Sequence, residues 1–188
     1  MPEPDFKILQ RAESLAGIGR FKEALPEFYK FLSSQPENYL ALCHISRCHY
    51  ELNDLKPALK FANQAIAAEP EGEWAYRLKS FIFRASGNHQ ESLKAAQECV
   101  SKATHFIFSL QTLAYAQINN FQLDKADKTL KSMIQIAPED LATYDALGFL
   151  ALKREEYETA EKYFLQALAI DAESANSLRS CLKTRNKG

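Results

Sequence analysis

The densest group of side chains that could do chemistry is a Cys43-His44 pair followed by a Cys48-His49 pair. On a helix, His44 and Cys48 would lie one turn apart, which is a spacing that can ligate zinc. A zinc site needs about four ligands, and no second Cys/His pair stands at matching spacing elsewhere in the chain. The pattern also differs from the C-x-x-C-H haem signature. We therefore expect these residues to pack inside the fold, and we predict neither a metal site nor a cofactor.

Signatures of the common catalytic machineries are absent from the sequence. The six glycines form neither G-x-G-x-x-G nor the phosphate loop G-x-x-x-x-G-K-[ST]. No G-x-S-x-G or H-E-x-x-H motif occurs. The acidic pairs Glu139-Asp140 and Glu155-Glu156 fall in predicted loops or helix starts, where carboxylates stabilise the helix dipole. The sequence therefore predicts that the chain is not an enzyme and has no catalytic residues.

Composition limits the partners and compartments that the chain can serve. Its 188 residues are enough for one domain with a buried core, and the formal net charge of -1 gives no bulk attraction to nucleic acid or to anionic membranes. No stretch approaches the roughly 18 apolar residues that a membrane span needs, and residues 1–5 lack the features of a secretion signal. The four cysteines fall inside helical patterns, as expected of reduced thiols. These observations predict a cytoplasmic protein.

A regular repeat runs through the chain. The interval from Pro70 to Pro138 is twice the interval from Pro36 to Pro70. Placing these prolines at position 32 gives five units without insertions, at residues 5–38, 39–72, 73–106, 107–140 and 141–174. Position 8 is always small (Ala12, Ser46, Ser80, Ala114, Gly148), and so is position 20 (Ala24, Ala58, Ser92, Ala126, Ala160). Because small residues let two helices approach closely, each unit is predicted to be a helix hairpin.

The two helices of each unit are separated by a turn that contains Gly or Asn in the first four units: Gly19-Arg20, Asn53-Asp54, Gly87-Asn88 and Asn119-Asn120. Both residue types tolerate the left-handed backbone that ends a helix. The fifth unit has Glu155-Glu156 at this place, so its turn is predicted from register alone. Pro26 falls inside the second helix of the first unit, where it should remove a hydrogen bond and kink the helix.

These residues resemble the tetratricopeptide repeat (TPR) family, whose unit of about 34 residues has a large residue, Leu, Gly or Ala, and Tyr, and then Ala, an aromatic residue and Pro. The fifth unit matches best, with Tyr144, Leu147, Gly148, Ala160, Phe164 and Ala167. The resemblance covers residues 5–174. It implies one all-α domain over residues 1–188, a right-handed α-solenoid of five helix-turn-helix repeats. Residues 175–188 restart the first-helix pattern and are predicted to form a capping helix and tail.

A second stripe of large side chains runs along the first helices at positions 2, 5, 9 and 12, where an ordinary surface helix would be polar. In the second unit it also includes Leu40 and Cys43. First helices line the concave side in this family, so the resemblance places the stripe in a binding groove. Trp, Tyr and Arg are enriched at binding hot spots. The predicted partner-binding residues, called the groove stripe below, are Arg47, Tyr50, Trp74, Arg77, Phe81, Arg84, Phe108, Gln111, Tyr115 and Phe149.

Three functions are compatible with this pattern. The favoured one is a protein–protein interaction scaffold, an adaptor or chaperone-like module whose groove binds a protein or peptide segment with bulky apolar anchors and acidic residues. A regulatory TPR module of a larger protein or enzyme complex is the alternative. Single-stranded nucleic acid could stack on the aromatic and Arg side chains, but the near-neutral charge argues against it. No membrane partner is predicted.

One known ligand of the family is excluded by the residues at the relevant positions. Some members grip the C-terminal carboxylate of chaperone tails with Lys, Arg and Asn from three successive repeats. The first such window of this chain carries Leu9, Glu13, His44, Trp74 and Leu78 instead, and neither of the other two windows matches. We therefore expect no specific binding of carboxylate-clamp chaperone tails.

Overall fold

The computed structural model of the chain describes residues 3–103 and 106–170, which contain ten α-helices and no strand. The predicted capping helix at residues 175–188 lies outside the described residues. The predicted all-α fold class is confirmed. The helices in chain order are α1 (Glu3–Gly17), α2 (Phe21–Leu32), α3 (Tyr39–Glu51), α4 (Leu55–Ala68), α5 (Glu73–Ala85), α6 (His89–Ser101), α7 (Phe106–Asn119), α8 (Leu123–Ile136), α9 (Leu141–Lys153) and α10 (Tyr157–Ile170).

The helices group into two compact units, each larger than a single repeat, one ending at residue 102 and the other beginning at residue 103. From here on, "first unit" and "second unit" mean these two parts of the chain. The first unit holds α1 to α6 and the second holds α7 to α10. In each unit, the two helices of every hairpin pack together, and the second helix packs on the first helix of the next hairpin. The first helices are also neighbours of each other: α3 contacts both α1 and α5 in the first unit, and α7 contacts α9 in the second.

Each hairpin turns through the same hydrogen-bonded motif. In the first hairpin, the Gly19 N–H bonds to the Ala16 carbonyl at 3.2 Å and the Arg20 N–H bonds to the Leu15 carbonyl at 2.9 Å. This pair of bonds defines the Schellman motif, which needs a left-handed residue just after the helix. Equivalent bonds occur in all five hairpins, and the left-handed residues are Gly19, Asn53, Gly87, Phe121 and Glu155, with φ between 56° and 78°.

The turn of the fourth hairpin differs from the sequence prediction. Asn119 is the last residue of α7, and Phe121 takes the left-handed conformation that Asn119-Asn120 was expected to supply. The register of the repeat sets this, since Phe121 is at position 15, as are Gly19 and Gly87. The left-handed region costs an L-residue about 1–2 kcal/mol, and Phe121 lacks the short polar side chain that eases this cost for Asn. The predicted turn is correct, but its residue assignment was wrong.

Small residues bring the two helices of each hairpin into contact, as their positions predicted. The Ser46 hydroxyl donates to the Ala58 carbonyl at 2.8 Å across the second hairpin. In the third hairpin, Ser80 and Ser92 each donate to the other's carbonyl, at 3.0 and 2.9 Å. All four residues are buried. A larger side chain at any of them would separate the backbones and break these bonds.

Successive hairpins are joined by short loops. Hydrogen bonds link the residues near position 32 in each loop to the start of the next helix. Asp140 caps α9, because its carboxylate accepts from the Thr143 N–H at 2.9 Å. The Tyr144 hydroxyl donates to the Pro138 carbonyl at 2.9 Å, and Tyr76 makes the equivalent bond to Pro70 at 3.1 Å. Both prolines lie just beyond a helix end, in agreement with their predicted role as helix stops.

The first hairpin tolerates the two residues that depart from the repeat pattern there. Helix α2 continues through Pro26 to Leu32, although a proline cannot donate the usual hydrogen bond to the preceding turn. Arg11 stands where the pattern has an apolar residue. Its side chain is 72% exposed, and its Nε lies 3.4 Å from Glu27 Oε1. The charge therefore stays in water while the helix packs beside it.

We predict that Gly148→Ala destabilises the fifth hairpin. A Cβ at Gly148 would lie 2.3 Å from Cε1 of Phe164, which is fully buried between the helices. Relieving this clash should lower the free energy of unfolding by about 1–3 kcal/mol, as measured by urea denaturation followed by circular dichroism. Gly17→Ala is the matched control, because nothing lies within 4 Å of its added Cβ. Equal stability of the two variants would contradict the packing described here.

Candidate functional site

The two cysteines of the predicted zinc-spacing group lie in separate core clusters. Cys43 packs in a core cluster with Leu42 and Leu78, whereas Cys48 packs in another with Ala12 and Phe28. Burial raises the pKa of the Cys43 thiol to about 12 and that of Cys48 to about 11. Zinc takes thiolates, so these protonated thiols are poor ligands. In the described part of the chain, no three His, Cys, Asp or Glu side chains are grouped to hold a metal ion.

Cys43 was expected on the stripe of large side chains, and the structure corrects this. Its side chain is fully buried in the cluster that contains Ala65 of α4 and Ala75 and Leu78 of α5. Position 5 of α3 therefore faces the next hairpin rather than an open surface. The reason is the lateral packing of α3 on α5, which covers part of the stripe that helical periodicity alone leaves exposed.

Six groove-stripe residues lie in the first unit, on α3 and α5, and all of them are half-buried. The Phe81 ring lies between two other members of the stripe. Its centroid is 6.2 Å from that of Tyr50 and 5.2 Å from the guanidinium carbon of Arg84. On α3, Arg47 Nε lies 4.0 Å from Glu51 Oε1. The stripe is thus a set of aromatic rings with arginines beside them, partly covered and partly in solvent.

Trp74 occupies the start of α5 and has a packing role of its own. It is half-buried against the cluster formed by Leu42, Cys43 and Leu78. The Trp74 and His44 rings make an edge-to-face contact, with centroids 4.8 Å apart and an interplanar angle of 88°. A substitution of Trp74 would therefore disturb the fold as well as any surface that it forms.

His44 is the residue of this region that the sequence prediction of the groove stripe missed. It stacks on Phe28 with centroids 5.1 Å apart, and its Nε2 lies 3.6 Å from Glu13 Oε1 of α1. Its Nδ1 is buried without a hydrogen-bond partner. Desolvation, with a smaller effect from Arg47, lowers the pKa of His44 to about 4. The sequence marks His44 only by its zinc-ligand spacing to Cys48 and as a carboxylate-clamp position that does not match the clamp pattern.

Four groove-stripe residues lie in the second unit, on α7 and α9. Phe108 is 51% exposed and Phe149 is 37% exposed, while Gln111 and Tyr115 are half-buried. The Tyr115 and Phe149 rings lie 6.1 Å apart, so the stripe continues from one first helix to the next within this unit. The expectation that Phe108 and Tyr115 form one surface with residues of α5 stays a prediction.

Comparison with known families agrees with this geometry. Two tetratricopeptide repeat models match the sequence, one over residues 15–80 and the other over residues 141–174. The chain belongs to the tetratricopeptide repeat family. A crystal structure of a thermophilic TPR protein of Thermus thermophilus has the same fold, with a TM-score of 0.84 and 18% identity over 97% of this chain and 99% of that one.

Two curated relatives place the TPR array in a wider context. Human protein O-mannosyl-transferase TMTC1 is 22% identical over 89% of this chain and 20% of its own length. Anaphase-promoting complex subunit 3 of Schizosaccharomyces pombe is 20% identical over 78% of this chain and 22% of its own. The chain thus spans about a fifth of the length of these relatives. One is named a transferase and the other a subunit of a complex, and neither name carries an activity to this chain.

The family and the fold show an α-solenoid built from stacked helix hairpins. Solenoids of stacked repeats in general present extended concave surfaces that can bind other molecules. Among the described residues, no helix has both the length and the apolar character needed to cross a bilayer.

We predict that His44 makes the TPR fold sensitive to mild acid. Its pKa is near 6.5 when the chain is unfolded and about 4 when it is folded. The unfolded chain therefore binds the proton first, and stability falls as pH drops through this window. Between pH 7 and pH 5 the loss from this group should be about 2 kcal/mol, opposed by any attraction from Glu13 and measurable by urea denaturation.

His44→Gln removes the titrating group and should flatten the dependence of unfolding free energy on pH by that amount. His89→Gln is the matched control, because His89 is exposed at the start of α6. An unchanged slope in His44→Gln would show that His44 is protonated without cost in the folded chain.

Proposed function

We propose that the chain is an adaptor whose groove stripe binds a peptide or protein segment. The observation that carries this proposal is the set of half-buried aromatic rings flanked by guanidinium groups, with Phe81 beside Arg84 at 5.2 Å. Burial of such a ring under a partner strengthens the binding of that partner, and an arginine beside the ring orients a partner that carries acidic groups. The partner we propose has one or more bulky apolar anchors with carboxylates nearby.

The proposal places the chain in a reducing compartment, the cytoplasm. Cys43, Cys48 and Cys99 are buried as free thiols. Proteins of oxidising compartments use their cysteines in disulfides far more often. The TPR fold itself gives no preference, because one fold serves many functions.

A second function is favoured by the lengths of the relatives. The chain covers only 20% and 22% of the two curated relatives described above, so each of them carries a comparable array within a much longer protein. This chain could therefore serve as the regulatory TPR module of a larger protein or enzyme complex, with the groove stripe as its docking surface. The two functions share the same site and differ in what is attached to it.

We predict that substitution of an exposed groove-stripe residue weakens partner binding without unfolding the chain. Phe108→Ala should weaken binding by about 2 kcal/mol if Phe108 is an anchor, because its 51% exposed ring is available to a partner. Leu165→Ala on α10 is the matched control, since Leu165 is 50% exposed on a second helix. Affinity capture from the native source with mass spectrometry identifies the partner, and calorimetry then compares the variants.

The charge test compares Arg84→Glu with the control variant Lys22→Glu. Lys22 is an exposed residue of α2. Arg84→Glu should slow association and reduce its salt dependence, while Lys22→Glu should leave both nearly unchanged. Equal effects of the stripe variants and their controls would overturn the groove stripe as the binding site. Retained binding in all four variants would show that the partner contacts neither the tested stripe residues nor the two control residues.

A further inference from the structure

Glu13 of α1 carries a negative charge whose nearest basic neighbour is neutral. Its side chain is 42% exposed, and its Oε1 lies 3.6 Å from Nε2 of His44 on α3. Within the described residues, no lysine or arginine nitrogen comes within 4.0 Å of this carboxylate. His44 is uncharged near pH 7, because burial and, to a smaller extent, Arg47 lower its pKa to about 4. The charge of Glu13 is therefore available to a cation from outside the chain.

Other glutamates of the same region differ from Glu13 in having an arginine beside them. Arg11 Nε lies 3.4 Å from Glu27 Oε1, and Arg47 Nε lies 4.0 Å from Glu51 Oε1. The two arginines nearest to α1 and α3 in sequence are thus placed beside carboxylates of their own. Glu13 is left as the position in this group where a partner can supply the positive charge.

An aromatic surface lies beside the Glu13 carboxylate. His44 stacks on Phe28 with ring centroids 5.1 Å apart, which holds the imidazole in place. The same imidazole makes its edge-to-face contact with Trp74 at 4.8 Å, so it is in contact with both the carboxylate and the indole. Trp74 is half-buried, and part of the indole is therefore open to solvent next to the charge of Glu13.

A carboxylate close to an indole matches the chemistry of a guanidinium group. This cation is planar and can donate two parallel N–H groups to one carboxylate. It also packs on aromatic rings, with tryptophan as the best acceptor of such cation–π contacts, and it is more weakly hydrated than an ammonium. The apolar stem of an arginine can lie along the half-buried ring while its charged end stays at the carboxylate.

We propose that Glu13, His44 and Trp74 form a subsite that receives an arginine side chain of the partner segment. The inference rests on the proposed function for the source of this arginine, and it adds a basic group to a partner whose carboxylates are assigned to arginines such as Arg84 on α5. Because α3 lies between α1 and α5, the two charges of the partner would be read on opposite sides of α3. This arrangement would fix the direction in which the segment crosses the first unit.

The test is a titration of the full chain at pH 7 with Nα-acetyl-arginine amide. Trp74 is the only tryptophan of the chain, so its fluorescence and its indole N–H signal in nuclear magnetic resonance report on the subsite. Both should change in a saturable way, with a Kd on the order of millimolar because one side chain makes few contacts. Nα-acetyl-citrulline amide has nearly the same shape without the charge and should bind about fivefold more weakly. Nα-acetyl-lysine amide, with a free side-chain amine, should also bind more weakly than the arginine derivative.

Glu13→Gln removes the charge and keeps the size of the side chain. It should weaken binding of the arginine derivative about fivefold and leave binding of the citrulline derivative unchanged. Glu91→Gln is the matched control, because the Glu91 side chain on α6 is 50% exposed and already lies 2.7 Å from Lys94 Nζ. This variant should bind both derivatives as the wild type does.

Three results would each overturn the subsite: equal binding of the arginine and citrulline derivatives, unchanged binding in Glu13→Gln, or no saturable change of the Trp74 signals. Tighter binding of the lysine derivative would overturn its assignment to arginine. The titration uses no partner, so its outcome is independent of the Phe108 and Arg84 tests. Failure here would remove the arginine from the partner segment, whereas failure of those tests would remove the proposed function.

Discussion

The close approach of two helices within each hairpin is the constraint on which the rest of the structure depends. It requires small side chains at positions 8 and 20, and where these are serines the backbones are near enough for a hydroxyl to reach the opposite carbonyl, as Ser46 does at 2.8 Å. Where position 8 is glycine, the space is taken by Phe164. Large residues can be accommodated beside the crossing, but not at it.

This spacing also dictates the backbone between the helices. Because the two helices of a hairpin lie so close together, the turn between them is a Schellman motif in all five hairpins. The motif needs one left-handed residue at a fixed place. The fold keeps that conformation even when the sequence supplies Phe121 or Glu155. The packing of two whole helices outweighs the local preference of one residue, so a residue poorly suited to the turn is carried there at some cost in stability.

Packing between neighbouring hairpins divides the surface of the first helices into covered and open parts. Cys43 is buried because α3 lies against α5, whereas about half of the surface of Phe108 on α7 is exposed to solvent. Residues such as Trp74 and Phe81 fall between these extremes and contact both neighbouring side chains and solvent. Under the proposed function, a partner would contact side chains that also hold adjacent repeats together, and partner binding would then be linked to the stability of the array.

The sequence by itself determined the period, the two-helix unit and the small residues at the crossing, because each is a local pattern repeated five times. It also identified most of the large side chains on the first helices. Tertiary structure alone decided that Cys43 is core, that His44 lies between Phe28 and Trp74, and that Phe121 takes the left-handed position. Each of these depends on contacts between residues distant in sequence, or on register imposed by packing, which outweighs the intrinsic preference of a single residue.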